Sequence, residues 1–232
     1  MTTALITGAN KGIGYEIAAG LGALGWRVGV GARDDRRREE AVEKLRADGV
    51  DAFGVPLDVT DDASVAAAAA SLDQLDVLVN NAGITGDTPQ EPSTIDLDIL
   101  RTVLETNVFG VIRTTNAMLP LLRRSEHPRI VTVSSGVGSL TRQSAGQAGP
   151  IALGYSPSKT YLNAVTLQYV RELEGTNIKI NLACPGYVAT DLNGHQGHRT
   201  TQQGAATPIR LATLPDDGPT GGFFEDAGEV PW

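Results

Sequence analysis

The chain has 232 residues, 41% of them hydrophobic and 20% charged, with a formal net charge of −8. That length and balance suit one globular domain with a sizeable core. The acidic balance, with the longest basic run Arg36–Arg38 followed at once by Glu39 and Glu40, argues against a nucleic-acid partner. A single cysteine, Cys184, cannot form an internal disulfide, which points to a reducing cytoplasm. The N-terminus shows no basic leader, and no apolar run reaches the roughly 18 residues that a membrane span needs.

In chain order, Ala4–Thr7 reads as a short apolar strand, followed by a glycine turn and a helix with Ile17, Ala18, Leu21 and Leu24 on its apolar face. The turn is Gly8, Ala9, Asn10, Lys11, Gly12, Ile13 and Gly14. Glycines between a strand and a helix let the backbone approach a pyrophosphate, and the helix N-terminus offers free N–H groups and the positive end of its dipole. Arg27–Gly31 is a second strand, with Ala32 where an acidic residue would bind a ribose 2′-hydroxyl. Arg33 follows, and with Lys11 it suits a 2′-phosphate; Asp34, one residue on, is the alternative that would favour the hydroxyl. Arg36–Lys44 mixes charges at helical spacing and reads as a solvated face.

A third strand, Ala52–Leu57, ends in Asp58 and Val59, where an adenine would lie, and a helix follows from about Asp61. A fourth, Asp76–Val79, ends in Asn80, Asn81, Ala82 and Gly83, whose amides either tie loops together or touch a ligand. The segment Leu97–Leu122 reads as one long helix with Asn107 inside its apolar stripe, and a buried asparagine needs partners. The fifth strand, Arg129–Val133, ends in Ser134 and Ser135, and Gly138–Gly154 reads as a small, polar loop. Tyr155 opens the next helix, to about Leu173, with Lys159 one turn on along the same face. A nearby ammonium lowers a phenol's pKa toward the range useful for acid–base work. Ile178–Ala183 is a sixth strand, leading into Pro185, Gly186, Tyr187, Val188 and Thr190. Asn193–Gly204 reads as a mobile lid, its His195 and His198 as loop residues and not metal ligands, and Gly221–Phe224 as a seventh strand.

Strand–helix alternation with a glycine turn after the first strand predicts an α/β fold: a single doubly wound Rossmann-type domain, its seven-stranded parallel sheet flanked by helices. In such a sheet ligands bind at the carboxyl ends of the strands, and Gly8–Gly14, Arg33, Asp58, Asn80, Ser135 and Pro185–Thr190 all fall at that edge.

These ordered motifs resemble the short-chain dehydrogenase/reductase family over essentially the whole chain: Thr7-Gly8-x-x-x-Gly12-x-Gly14, Asp58, Asn80–Gly83, Asn107, Ser135, Tyr155-x-x-x-Lys159 and Pro185-Gly186. The glycine turn with Arg33 is similar to that of NADPH-preferring carbonyl reductases. The resemblance implies NADPH/NADP+ as cofactor in preference to NADH, with Tyr155 as acid–base. It implies that Lys159 lowers the tyrosine's pKa and holds the nicotinamide ribose, that Ser135 orients the carbonyl, and that Asn107 anchors a water in a proton relay. It places the cofactor against Gly8, Asn10, Lys11, Gly12, Ile13, Gly14, Arg33, Asp58, Val59, Asn81, Ala82, Gly83, Pro185, Gly186, Val188 and Thr190, the last two touching the carboxamide, with no metal. Reduction of a ketone or aldehyde follows, with Ile84–Thr88, Gly136–Ser144, Tyr187 and Leu192–Arg199 around the substrate. An NAD-dependent alcohol dehydrogenase and a non-catalytic NADP-binding sensor are the competing expectations. Ser135 and Tyr155 stand 20 residues apart, farther than is usual in the family. The extra residues would reshape the pocket rim or the face through which many members form dimers or tetramers.

Overall fold

The computed structural model describes residues 1–87 and 90–232. The strands are β1 (Thr3–Thr7), β2 (Arg27–Ala32), β3 (Ala52–Pro56), β4 (Val77–Asn80), β5 (Arg129–Val133), β6 (Lys179–Ala183), β7 (Phe223–Glu225) and β8 (Gly228–Glu229). The helices are α1 (Gly12–Ala23), α2 (Asp35–Ala47), α3 (Asp62–Ala70), α4 (Leu97–Leu104), α5 (Gly110–Leu122), α6 (Leu140–Ser144), α7 (Tyr155–Glu172) and α8 (Thr201–Ala212). The strands form one sheet in the order β3-β2-β1-β4-β5-β6-β7-β8. The first seven run parallel, and β8 pairs antiparallel with β7 through Phe224↔Glu229. The expected seven-stranded parallel sheet is therefore extended by one antiparallel edge strand. A two-residue strand has no hydrophobic pattern of its own and forms only because β7 offers an edge.

Side chains alternate across the pleat. Ala4 and Ile6 join Ile17, Leu21, Val28, Val30 and Leu211 on one face, while Leu5 joins Leu78, Met118, Leu122, Ile130 and Ile180 on the other. The chain winds outward from β1 to β3, then crosses back to β4, which pairs with β1 through Ile6↔Val79. That reversal opens a crevice between the carboxyl ends of β1 and β4. Asn80, 2% exposed, closes its floor by donating from Nδ2 to Thr115 Oγ1 of α5 at 3.0 Å.

Four sequence expectations change. The long helix over 97–122 is interrupted by a π-helical turn, Glu105–Phe109, between α4 and α5. The expected loop 138–154 contains α6, whose first turn is capped by the Ser139 hydroxyl accepting from the Arg142 N–H at 3.1 Å. The expected lid 193–204 gives way at Thr201 to α8, started by a capping box between Thr200 and Gln203. Pro208 inside that helix and the weak formers Thr201, Gly204 and Thr207 hid it in the sequence. Leu24 lies just past α1 and is 56% exposed, outside the buried stripe.

Thr115→Val removes the acceptor for a buried amide. It should destabilise the protein by about 1–3 kcal/mol in urea denaturation; an unchanged midpoint would mean that Asn80 finds another partner.

Candidate active site

The glycine turn is shaped by Asn81. Its Nδ2 donates to the carbonyls of Thr7 at 2.9 Å and Gly8 at 3.3 Å, while the backbone N–H groups of Asn81 and Ala82 both donate to Thr7 Oγ1 at 2.9 Å. Asn81 thus acts on the turn, and Asn80 on the sheet. A Cβ at Gly14 would lie 2.5 Å from Asn81 Nδ2 and 2.6 Å from the Gly8 carbonyl, so no larger residue fits there. At Gly12 (φ +59°) the nearest atom to a Cβ is Thr190 Cγ2 at 3.7 Å, which leaves the face of the turn open. The N-terminus of α1 carries no side-chain cap. An open turn before an uncapped helix N-terminus suits a pyrophosphate.

The turn borders a cleft of about 2480 Å³ running along the carboxyl edge of the sheet. It is lined by Gly8, Asn10, Lys11, Gly12, Ile13, Gly14, Arg33, Asp58, Val59, Asn81, Ala82, Gly83, Ser135, Tyr155, Lys159, Pro185, Gly186, Val188 and Thr190. Every residue expected to act in catalysis or hold the cofactor, except Asn107, therefore faces one space; of the expected substrate wall, Ile84–Asp87, Gly136, Val137, Arg142, Tyr187, Leu192, Asn193, His195 and Gln196 line it, whereas Gly138–Thr141, Gln143, Ser144, Gly194 and Gly197–Arg199 do not, nor does Asn80. Thr88 lies outside the described residues. Among the described residues no group of three His, Cys, Asp or Glu could hold a metal, and no helix is long and apolar enough to cross a membrane.

At the outer end Asp34 is committed elsewhere: its carboxylate caps α2, accepting from the Arg37 N–H at 2.9 Å, which holds its pKa below the usual range. Arg33 reaches toward Asp58, 3.9 Å away, and Asp58 accepts from the N–H and hydroxyl of Thr60 at 2.9 and 2.7 Å. Lys11 Nζ instead pairs with Asp191 at 2.5 Å across the cleft, and Asp191 also meets His195 at 2.9 Å. In this arrangement Lys11 must leave Asp191 to reach a ribose phosphate.

At the inner end Lys159 is 4% exposed, and its Nζ donates to the Val133 carbonyl at 2.9 Å. Burial lowers its pKa from 10.5 to about 8. Its ammonium lies 5.8 Å from the centre of the Tyr155 ring. Burial pushes the Tyr155 phenol up to about 12, although the side chain is only partly covered; Ser135 pulls it down and Cys184 adds to the rise. The lowering expected from Lys159 is not found: desolvation sets the direction, and the downward pull comes from Ser135. Asn107, fully buried in the π-helical turn, spends its amide on the backbone of Ile84 (both bonds 2.8 Å) and on Ser158 Oγ (3.0 Å). Its side chain ties the loop after β4 to α7 and does not line the cleft.

Two contributors had no sequence signal. The N-terminus of α7 has no cap of its own, and Gln90 Oε1 supplies one, accepting from the N–H groups of Gly154 and Tyr155 at 3.1 and 3.3 Å. Gln90 is itself held by the Thr85 and Asp87 carbonyls. Gly138, in the short turn after β5, lets α7 come close to that turn: a Cβ there would sit 2.9 Å from the Lys159 carbonyl carbon. Neither contact can be read from residues so distant in sequence.

Gln90→Leu should cost about 1–2 kcal/mol of stability by loss of a cap, with Gln90→Glu recovering most of it in urea denaturation. Equal losses would remove the cap from the account. For Lys159 the folded pKa lies below the unfolded one, so between pH 8 and 10.5 the unfolded chain binds the extra proton and stability rises with pH. Thermal melts across that window should show the wild type gaining on Lys159→Met; parallel curves would mean that the amine titrates normally.

The sequence profile of the family described as short chain dehydrogenase matches residues 2–201. Short-chain dehydrogenase/reductase 1 of Saponaria officinalis is 36% identical over 282 aligned positions, covering 95% of this chain and 93% of that protein. Since those positions outnumber the 232 residues here, that relative carries segments this chain lacks. Carbonyl reductase (NADPH) 1 of Bos taurus is 32% identical, covering 99% and 98% of the two chains. The solved structure of salutaridine reductase from Papaver somniferum superposes with a TM-score of 0.85 at 30% identity, covering 97% of this chain and all of that one. With its glycine turn, its Tyr155–Lys159 pair and its sheet edge in the arrangement described, the chain belongs to the short-chain dehydrogenase/reductase family of oxidoreductases.

Proposed function

We propose that the protein is an NADPH-dependent carbonyl reductase, taking a ketone or aldehyde to an alcohol. The observation that carries this reading is the meeting of Ser135, Tyr155 and Lys159 on one wall of a cleft that continues over the open glycine turn. The turn and the N-terminus of α1 would hold the pyrophosphate, Asp58 and Val59 the adenine, and Asn81, Ala82, Gly83 and Lys159 the nicotinamide ribose. Pro185, Gly186, Val188 and Thr190 would border the carboxamide. When bound, the cofactor supplies the hydride.

Ser135 and Tyr155 orient the substrate oxygen, and the Tyr155 hydroxyl gives its proton to that oxygen as charge develops. A phenol with a raised pKa is fully protonated at neutral pH, which suits an acid more than a base. Lys159, itself buried and little screened by water, keeps a positive charge beside the phenolate that forms. Asn107 and Ser158 keep α7, and so both residues, in register.

The preference for NADPH is supported by Ala32 at the end of β2, by Arg33 beside it, and by Asp34 being spent on the cap of α2. The same cap disfavours the NAD-dependent reading, in which Asp34 would take the ribose hydroxyls. Carbonyl reductase (NADPH) 1 and the Thermococcus sibiricus alcohol dehydrogenase, solved with 5-hydroxy-NADP, lend further support as relatives.

Tyr155→Phe should cut turnover by roughly 10²–10⁴-fold, the worth of a positioned acid, while fluorescence titration finds NADPH affinity changed less than threefold. Retained turnover would remove Tyr155 from the chemistry. Arg33→Ala should weaken NADPH roughly tenfold or more relative to NADH, as loss of a charge-assisted hydrogen bond predicts. Equal weakening of both would refute the phosphate assignment.

A further inference from the structure

The wall of the cleft beside Ser135 carries a guanidinium that the reaction above does not use. Arg142 of α6 donates from Nη1 and Nη2 to the two carboxylate oxygens of Glu225 on β7, at 3.0 and 2.8 Å. The two side chains are 25% and 28% exposed, so water screens the pair only in part. Arg142 lines the cleft with Ser135 and Tyr155, and a Cβ at Gly136 would lie 2.7 Å from Nη1. The guanidinium thus lies over the residue that follows Ser135, where a Cβ would push it aside. Its helix is pinned as well: Gln143 Nε2 donates to the Val137 carbonyl at 2.7 Å and to Thr160 Oγ1 at 3.1 Å.

A guanidinium has five N–H donors in a fixed fork, and a bidentate carboxylate takes two of them. Three donors remain on a side chain that lines the cleft with Ser135 and Tyr155. Because Glu225 cancels the charge, the site suits a neutral acceptor better than a free anion.

On the reductase reading, we propose that Arg142 determines specificity by donating to a second oxygen, a carbonyl or hydroxyl, borne close to the reacting carbonyl of the substrate. The preferred substrates are then diketones or hydroxy ketones, and simple ketones are poorer. Glu225 is the positioning residue that holds the fork.

The test uses benzil and deoxybenzoin, a diketone and a monoketone of matched shape. Calorimetry of the NADP+-loaded protein reads binding without turnover, and loss of NADPH absorbance reads turnover. The wild type should bind benzil more tightly, and Arg142→Met should lose at least tenfold more affinity for benzil than for deoxybenzoin. Arg142→Lys, which keeps the charge but not the fork, should give a smaller selective loss and serves if the first variant does not fold. Glu225→Gln should raise the affinity for benzoylformate, an anion, relative to benzil. Equal losses for the two ketones, or no loss, would overturn the role of Arg142; an unchanged benzoylformate ratio would overturn that of Glu225. Selective binding of benzil without turnover of either ketone would sink the reductase reading and leave Arg142 in place. Turnover of both without an Arg142-dependent difference would do the reverse.

Discussion

A buried ammonium is the constraint around which the inner half of the site is built. Lys159 gives up most of its hydration and receives one carbonyl, that of Val133, in return. Taking a charge out of water is costly unless partners replace the solvent, and here the cost shows as a depressed pKa. The surroundings keep it in place: Gly138 lets α7 close on the turn after β5, Gln90 caps the start of α7, and Asn107 reaches Ser158 one residue before the lysine. Tyr155 sits on the same helix one turn earlier, so the forces that fix the ammonium also fix the phenol.

The π-helical turn between α4 and α5 belongs to the same arrangement. Such turns are rare and cluster at functional sites, because they re-aim a side chain that a regular helix would turn away. Asn107 lies within this one, its amide fully engaged by Ile84 and Ser158. Arg113 braces the turn from one helical stretch later, donating to Glu105 at 2.8 Å and to the Val59 carbonyl at 2.7 Å. Gly110 brings α5 against Val59, where a Cβ would meet the valine side chain at 2.9 Å. Val59 and the turn that ties to α7 are therefore packed on one helix.

The outer end of the cleft is looser. Its ion pairs, Lys11–Asp191 and Arg33–Asp58, join side chains that are exposed apart from the half-buried Asp58, and such solvent-screened pairs contribute little to stability. On the proposed reading they exchange partners when a phosphate arrives, whereas Asp34 is held as a helix cap. The end of the cleft beside Ser135 combines Arg142, paired with Glu225, with an open mouth edged by the exposed Ile151, Tyr187 and Leu192.

The sequence by itself determined the layers and the edge. Alternating strand and helix patterns allow only a parallel sheet with covered faces, and glycines after β1 mark where a backbone must come close to a ligand. The tyrosine and lysine were legible because helical periodicity alone puts residues four apart on one face. The tertiary structure decided what depends on contacts between distant segments. Gln90 as a cap for α7, Glu225 behind Arg142, Asp191 on Lys11 and the edge strand β8 all join residues far apart in sequence. The tyrosine's pKa belongs with them, since a neighbouring charge can be inferred from spacing, but the desolvation that raises the phenol exists only once the chain has closed around the site.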